Sequence, residues 1–298
     1  MLFGPCCFNI QETAIVKIGF NMLLWSSNIG EEHFPLLAKM KEVGYDGVEL
    51  SLGANLDLEH HKKVGAELNN LGLGCTTVTC PPPEANPPSP DPATRAKGLD
   101  FIKWAIDATV ATGGEMLGGP FHSAYKVFTG KGPTEDEYKW CADVMREAAI
   151  YAQGANITLA TEPINRFECY MLNNGAMAQK LSKLVDQPNF GYLYDTHHCN
   201  IEEKNVRDAI LSGKDHIKHV HISENDRGAP GTGLVNWGEN FAAIKEIGYD
   251  GWMTIEAFSP DDPDFAAAIH VWREYDPKKD IYEGGYKFIQ DMLKKHGF

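Results

Sequence analysis

The chain has 298 residues, 43% of them hydrophobic, enough for one large core, and carries a formal net charge of −14. That charge repels polyanions, so nucleic acid is not an expected partner, and no run of about 20 apolar residues is present to span a membrane as a helix. Seven cysteines, two of them the neighbours Cys6 and Cys7, form neither an even framework nor a Cys-x-x-Cys pair, which reads as the reduced thiols of a cytoplasmic enzyme.

Residues 1–14 show no periodicity and no basic start, the first positive charge being Lys17; they are expected as a loose leader, with residues 15–298 forming a single domain. Residues 15–21 read as the first strand, followed by a loop holding Trp25. A helix over 31–43 sets Phe34, Leu37 and Met40 at helical spacing and stops at Gly44, a residue suited to the left-handed conformation after a helix. Strands are expected over 47–52 and 74–79, with a helix over 58–71 between them that ends at Gly72. From Pro81 to Pro92 seven of twelve residues are proline, a composition unsuited to helix or interior strand. The stretch follows a strand, so it is expected as a semi-rigid rim or lid over the functional face, or as a plain surface loop. Then come a helix over 91–112, a strand over 115–120 with His122 in its loop, and a helix over 134–153. Further helices are expected near 174–185, 206–211 and 237–247, with a last one over 282–296. Strand and helix alternate throughout, which predicts an α/β fold with a parallel sheet. The junction from Lys41 to Gly47 nearly repeats from Lys245 to Gly251, as repeated helix-to-strand units would.

Four stretches in the second half share one plan. Thr158-Leu159-Ala160-Thr161 runs into Glu162, where Pro163 halts a strand; Phe190 to Tyr194 runs into Asp195, Ile217 to Val220 into His221, and Met253 to Ile255 into Glu256. The gaps between the polar residues are 33, 26 and 35 (195 − 162, 221 − 195, 256 − 221), close to the roughly 30 residues of one strand–helix unit in a (β/α)8 TIM barrel. Singly, a glutamate at a strand end is commonly a salt-bridge partner and a histidine a core residue. Together, one oxygen or nitrogen donor at the end of each of four consecutive strands is the pattern of a metal site on a barrel rim. Two glutamates, an aspartate and a histidine suit Mn²⁺, with Co²⁺ or Mg²⁺ as alternatives, better than structural zinc.

Several motifs resemble the ketose 3-epimerases, the D-tagatose, D-psicose (allulose) and L-ribulose enzymes of the xylose-isomerase-like barrels. They are Glu162-Pro163-Ile164-Asn165-Arg166-Phe167-Glu168, the run from Asp195 to Glu203, His221-Ile222-Ser223-Glu224-Asn225-Asp226-Arg227 and Ile247 to Gly251. The segments Val48 to Gly53 and Ser89 to Arg95 are similar as well. The resemblance implies one divalent ion per subunit held by Glu162, Asp195, His221 and Glu256, substrate contacts from Glu168, His198 and Arg227, and a homodimer or homotetramer. Inverting C3 of a ketose requires a proton taken from one face and returned to the other. Loss of the C3 proton leaves an enediolate conjugated with the C2 carbonyl, whose charge a divalent ion would stabilise. Glu162 and Glu256 would each serve as base when ionised and as acid when protonated. Trp25 and Trp237 either wall the sugar pocket or pack in the core. The glycines around Pro230 make only a weak phosphate loop, and Cys75 and Cys80 read as buried apolar residues.

Three other functions share parts of this pattern. An aldose–ketose or hydroxypyruvate isomerase would use the same ion and one glutamate. An abasic-site endonuclease is echoed by Asp195-x-x-His198 and Asp226, but Thr79-Cys80-Pro81 lacks the histidine and the charge disfavours DNA. A non-catalytic sugar-binding protein has no use for carboxylates flanking the ion.

Overall fold

A computed structural model describes residues 16–298, apart from 54 and 56; the expected leader lies outside the described residues. Eight parallel strands close into a ring in chain order: β1 (Lys17–Asn21), β2 (Gly47–Ser51), β3 (Gly74–Val78), β4 (Met116–Gly119), β5 (Thr158–Thr161), β6 (Phe190–Asp195), β7 (Ile217–Ile222) and β8 (Trp252–Ile255). The ring is shut by β1 pairing with both β2 and β8. The chain is therefore a single TIM barrel, as the strand–helix alternation predicts.

Helices return the chain between strands: α1 (Phe34–Val43), α2 (Leu58–Leu71), α3 (Pro92–Ala111), α4 (Glu135–Gly154), α5 (Gly175–Val185), α6 (Thr196–Glu202), α7 (Val206–Ser212), α8 (Trp237–Glu246), α9 (Pro263–Ile269) and α10 (Gly285–His296). Their ends follow local chemistry. Gly44 (φ 116°) and Gly72 (φ 63°) close α1 and α2 in the left-handed conformation that a Cβ disfavours. Thr134 and Glu137 form a reciprocal cap at the start of α4. The repeated junction is real in three dimensions: Gly44 and Gly248 both take positive φ, and Tyr45 and Tyr249 are both buried.

Several expectations need correction. The first helix begins as a 3-10 turn over Glu31–His33, and the last is preceded by a π-turn over Asp280–Gly284. The proline-rich stretch holds a 3-10 turn at Pro83–Ala85, and Pro92 opens α3 at a position where its missing N–H is not needed. This stretch is packed against the protein: Ala85 and Asn86 are buried, and the Asn86 Oδ1 accepts from the Ala124 amide at 2.9 Å. Two short helices of seven residues each, α6 and α9, add to the expected set.

The barrel interior is built in levels. Its floor is Trp252, packed with Met116, Ala160 and Leu193. Gly47 and Gly74 make room for that indole, since a Cβ on either would lie 2.6 Å and 2.9 Å from it. Above the floor the interior turns polar, with Asn21, Glu49, Thr76, His219, His221 and Thr254 all buried, while the alternate residues Phe20, Val48, Leu50, Val220, Met253 and Ile255 belong to the apolar cluster of the barrel wall. Alternation within strands thus sends apolar side chains outward to the helices and polar ones upward to the site.

Candidate active site

The four strand ends meet. Donor atoms of Glu162, Asp195, His221 and Glu256, all four buried, lie within 4.8 Å of one another. Each is placed by the ladder. Glu162 extends β5 by one amide, donated to the Gly119 carbonyl at 2.9 Å; Asp195 and His221 are paired partners on β6 and β7; the Glu256 amide reaches the Ile222 carbonyl at 3.2 Å. The His221 Nδ1 stands 3.4 Å from Glu256, 3.5 Å from Asp195 and 3.9 Å from Glu162. Its Nε2 is held from below by Glu49 at 2.7 Å.

These residues fit a divalent ion. The Nδ1 of His221 and the Oε1 of Glu162 are buried polar atoms without a hydrogen-bond partner, a costly state unless another group completes it. Three carboxylates crowd one spot: burial first, then Glu256 and Asp195, push Glu162 well above the usual carboxylate range. Burial would raise Asp195 too, but Arg227, His198 and His221 hold it low. Three carboxylates, one from each of three strand ends, with one imidazole make a mainly hard oxygen donor set of the kind Mn²⁺, Co²⁺ or Mg²⁺ accept.

A cavity of about 390 Å³ opens above the cluster. Its polar end is lined by Glu162, Glu168, His198, Arg227 and Glu256, so four expected site residues from three loops join the glutamate of β8. Arg227 is no surface charge. Its Nη1 donates to Glu256 Oε2 at 2.7 Å and Ser223 Oγ at 2.8 Å, and its plane covers the Phe258 ring. His198 is pinned by the Asn165 amide, which donates to its Nδ1 at 3.1 Å. Burial keeps this ring neutral by lowering it well below the usual histidine range. The neutral ring therefore carries its proton on Nε2, and that N–H faces the Arg227 Nη2 at 3.0 Å, donor against donor. An acceptor oxygen placed at this point would satisfy both. Arg166, paired with Glu202 of α6 through two bonds of 3.0 and 2.9 Å, ties the loop bearing Glu168 to the helix bearing His198.

The outer end of the cavity is apolar, with Leu23, Val78, Phe258 and Val271 packed together and Phe265, Ile269 and Tyr275 against them. The segment carrying α9 roofs this end and is fastened across the mouth by Lys126, whose Nζ donates to the Ala268 carbonyl at 2.9 Å.

Trp25 is not among the lining residues; it packs on Phe20 and Tyr282, at 5.4 and 6.0 Å between ring centres. Trp237 is likewise structural, its indole N–H bonded to Glu224 at 2.9 Å. Aromatic size marks both residues without saying which face they take. In the glycine-rich loop the amides of Gly231 and Val235 donate to Glu224, and that of Ala229 to Asp276, so these three are engaged within the protein. Cys75 is buried, and Cys80 lines the cavity as a thiol that burial pushes up to about 12. Among the described residues all five cysteines are free. Glu49, His219 and Asn21 were not anticipated as part of the site. Their signals were a glutamate between Val48 and Leu50 in an apolar strand, and a His-x-His spacing that puts two imidazoles on one strand face.

Residues 37–291 match the family described as the xylose isomerase-like TIM barrel. An L-ribulose 3-epimerase of Methylomonas sp. is 32% identical over 87% of this chain and 91% of its own length, and a ketose 3-epimerase of Arthrobacter globiformis is 30% identical over 93% and 97%. The chain belongs to the ketose 3-epimerases of the xylose isomerase-like TIM barrels. This ketose 3-epimerase relative is accordingly an isomerase of the racemase and epimerase class. Among solved structures, it is similar to a D-allulose 3-epimerase from Methylomonas sp. in complex with D-allulose, with a TM-score of 0.87 and 29% identity over 94% of this chain and 98% of that one. An L-ribulose 3-epimerase structure aligns with a TM-score of 0.88 at 27% identity, over 95% and 96%.

Proposed function

We propose that this sugar epimerase inverts C3 of free ketoses of the D-tagatose, D-psicose/D-fructose or L-ribulose type, with Glu162 and Glu256 exchanging the proton and Glu162, Asp195, His221 and Glu256 holding one divalent ion, Mn²⁺ in the first place. The observation that carries this reading is the convergence of two glutamates from β5 and β8, three strands apart on the ring, on the same point as Asp195 and His221. When bound, the ion would act as a Lewis acid on the substrate oxygens and stabilise the charge that develops as the C3 proton leaves.

The chain's own groups account for the rest. One glutamate, ionised, takes the proton from C3; the other, protonated, returns one to the opposite face, and the next turnover in reverse exchanges the roles. Burial and like charge favour a proton on Glu162, so the pair can hold one proton between two carboxylates. Arg227 and the Nε2–H of His198 converge where an oxygen on C2 or C3 would accept from both. Glu168, half-buried on the cavity wall, would accept from a sugar hydroxyl. The apolar roof shields the enediolate from water. The cytoplasmic setting read from the cysteines, the leader at residues 1–14 and a homodimer or homotetramer form part of the same proposal; the family resemblance supports the oligomer.

The test uses Glu162→Gln and Glu256→Gln, each first assayed for bound metal because both residues are also proposed ligands. Each should lose epimerisation by the ~10²–10⁴-fold typical of a positioned acid–base group. In D₂O, one variant should still exchange the C3 proton of one ketose without inversion, and the other that of its C3 epimer. A metal-replete variant that epimerises near the wild-type rate would overturn the two-glutamate mechanism. Exchange at C1 in the wild type, with none at C3, would favour an aldose–ketose isomerase.

A further inference from the structure

We propose that Glu49, a carboxylate buried inside the barrel beneath the site, is a positioning residue that sets the tautomer of His221 and the orientation of Glu256. The proposal rests on the reading of Glu162, Asp195, His221 and Glu256 as ligands of one ion.

Glu49 is fully buried, and all its acceptor capacity is used. Its Oε1 receives the His221 Nε2 at 2.7 Å and the Asn21 Nδ2 at 2.9 Å; its Oε2 receives the His219 Nε2 at 2.8 Å and the Thr76 Oγ1 at 2.9 Å. A carboxylate bonded this way only accepts, so the His221 proton it faces is on Nε2. In the neutral ring the remaining nitrogen, Nδ1, then keeps its lone pair, and this is the buried atom without a partner that faces Glu162, Asp195 and Glu256. Turned to the other tautomer, the ring would present N–H to the cluster and could not ligate. A carboxylate behind an imidazole fixes both ring orientation and donor strength in this way.

The same carboxylate reaches Glu256 through Asn21. The Asn21 Oδ1 accepts from the Leu23 amide at 2.9 Å, which determines which end of the side-chain amide is which. Its Nδ2 must therefore point at the carboxylates, 2.9 Å from Glu49 and 3.2 Å from Glu256. Removing Glu49 would release both a ligand imidazole and the amide that aligns a proposed proton carrier. His219, held by the same group, fills the second oxygen and keeps Glu49 from rotating.

The experiment measures Mn²⁺ affinity by electron paramagnetic resonance of the free ion for wild type, Glu49→Ala and Glu49→Gln, beside the unfolding temperature of each metal-free protein. Glu49→Ala should bind Mn²⁺ about 10–100-fold more weakly. Glu49→Gln should retain more affinity, because its one carbonyl oxygen can still face His221 while its amide turns to His219. Nitrogen-15 histidine spectra of the Zn²⁺-loaded wild type, which need no variant to fold, should show His221 protonated on Nε2. A lowered unfolding temperature with unchanged Mn²⁺ affinity would make Glu49 a purely structural residue and overturn the proposal. So would a His221 proton on Nδ1. A wild type that binds no Mn²⁺ would overturn the ligand reading itself, and a weak Glu49→Ala beside a normal wild type leaves that reading standing and supports this one.

Discussion

Arg227 allows a quantitative test because it lines the cavity and at the same time pairs with two of the carboxylates proposed as ligands. Its guanidinium is only 11% exposed and lies 2.7 Å from Glu256 and 3.4 Å from Asp195, with His198 at 3.0 Å on its other side. In Arg227→Ala the substrate loses a charge-assisted hydrogen bond, a loss of about 1.5–3 kcal/mol, so kcat/KM should fall roughly 10- to 150-fold. The metal-free fold should also lose stability, since removing one partner of a buried ion pair costs about 3–5 kcal/mol. A divalent cation supplies positive charge to the same carboxylates, so Mn²⁺ should bind Arg227→Ala at least as tightly as wild type and restore more of its unfolding temperature. Arg227→Lys keeps the charge without the planar fork and should fall between the two. The assay is steady-state epimerisation of ketohexoses and ketopentoses with saturating Mn²⁺, beside Mn²⁺ titration of the metal-free proteins. Normal kcat/KM on every ketose the wild type turns over would refute the substrate role. A tenfold weaker Mn²⁺ affinity would refute the charge argument and make Arg227 a support for ligand geometry.

Two further outcomes are expected. Stripping metal with a chelator should abolish turnover, and Mn²⁺ or Co²⁺ at about 100 times its dissociation constant should add about 2.7 kcal/mol of stability, or roughly 5 °C in unfolding temperature; full turnover after demetallation is the contrary result. The second concerns acid. Burial pushes His122, bonded to Thr161 at 3.0 Å, down to about 3, against about 6.5 in an unfolded chain. Between those values the unfolded state binds the proton that the folded state refuses, so this contribution is complete above pH 6.5 and lost as pH falls, by about 1.4 kcal/mol per pH unit. His122→Gln should therefore show a shallower loss of stability between pH 6.5 and 4 in denaturant titrations, and parallel curves for the two proteins would contradict the assignment.

The barrel was legible from spacing alone because a strand–helix unit has a nearly constant length, and the four polar strand ends fell into register with it. The helix stops at Gly44 and Gly72 were equally local, since each needs only a residue that tolerates positive φ. The gathering of Glu162, Asp195, His221 and Glu256 followed for the same reason: in a closed parallel ring, residues at strand ends share one face whatever lies between them. Tertiary packing alone decided other matters. Trp25 and Trp237 carried no local sign of which way they turn, and contacts with Phe20 and Tyr282, or with Glu224, settled it. The family resemblance implied Arg227 as a substrate contact, but its pairing with Asp195 and Glu256 depends on its loop folding back over them. Glu49 was hidden for a further reason. A strand sequence shows that a charge is out of place among apolar neighbours, but Asn21, Thr76, His219 and His221, the four donors that make it tolerable, come from three other strands. Only closure of the barrel brings them within hydrogen-bond distance.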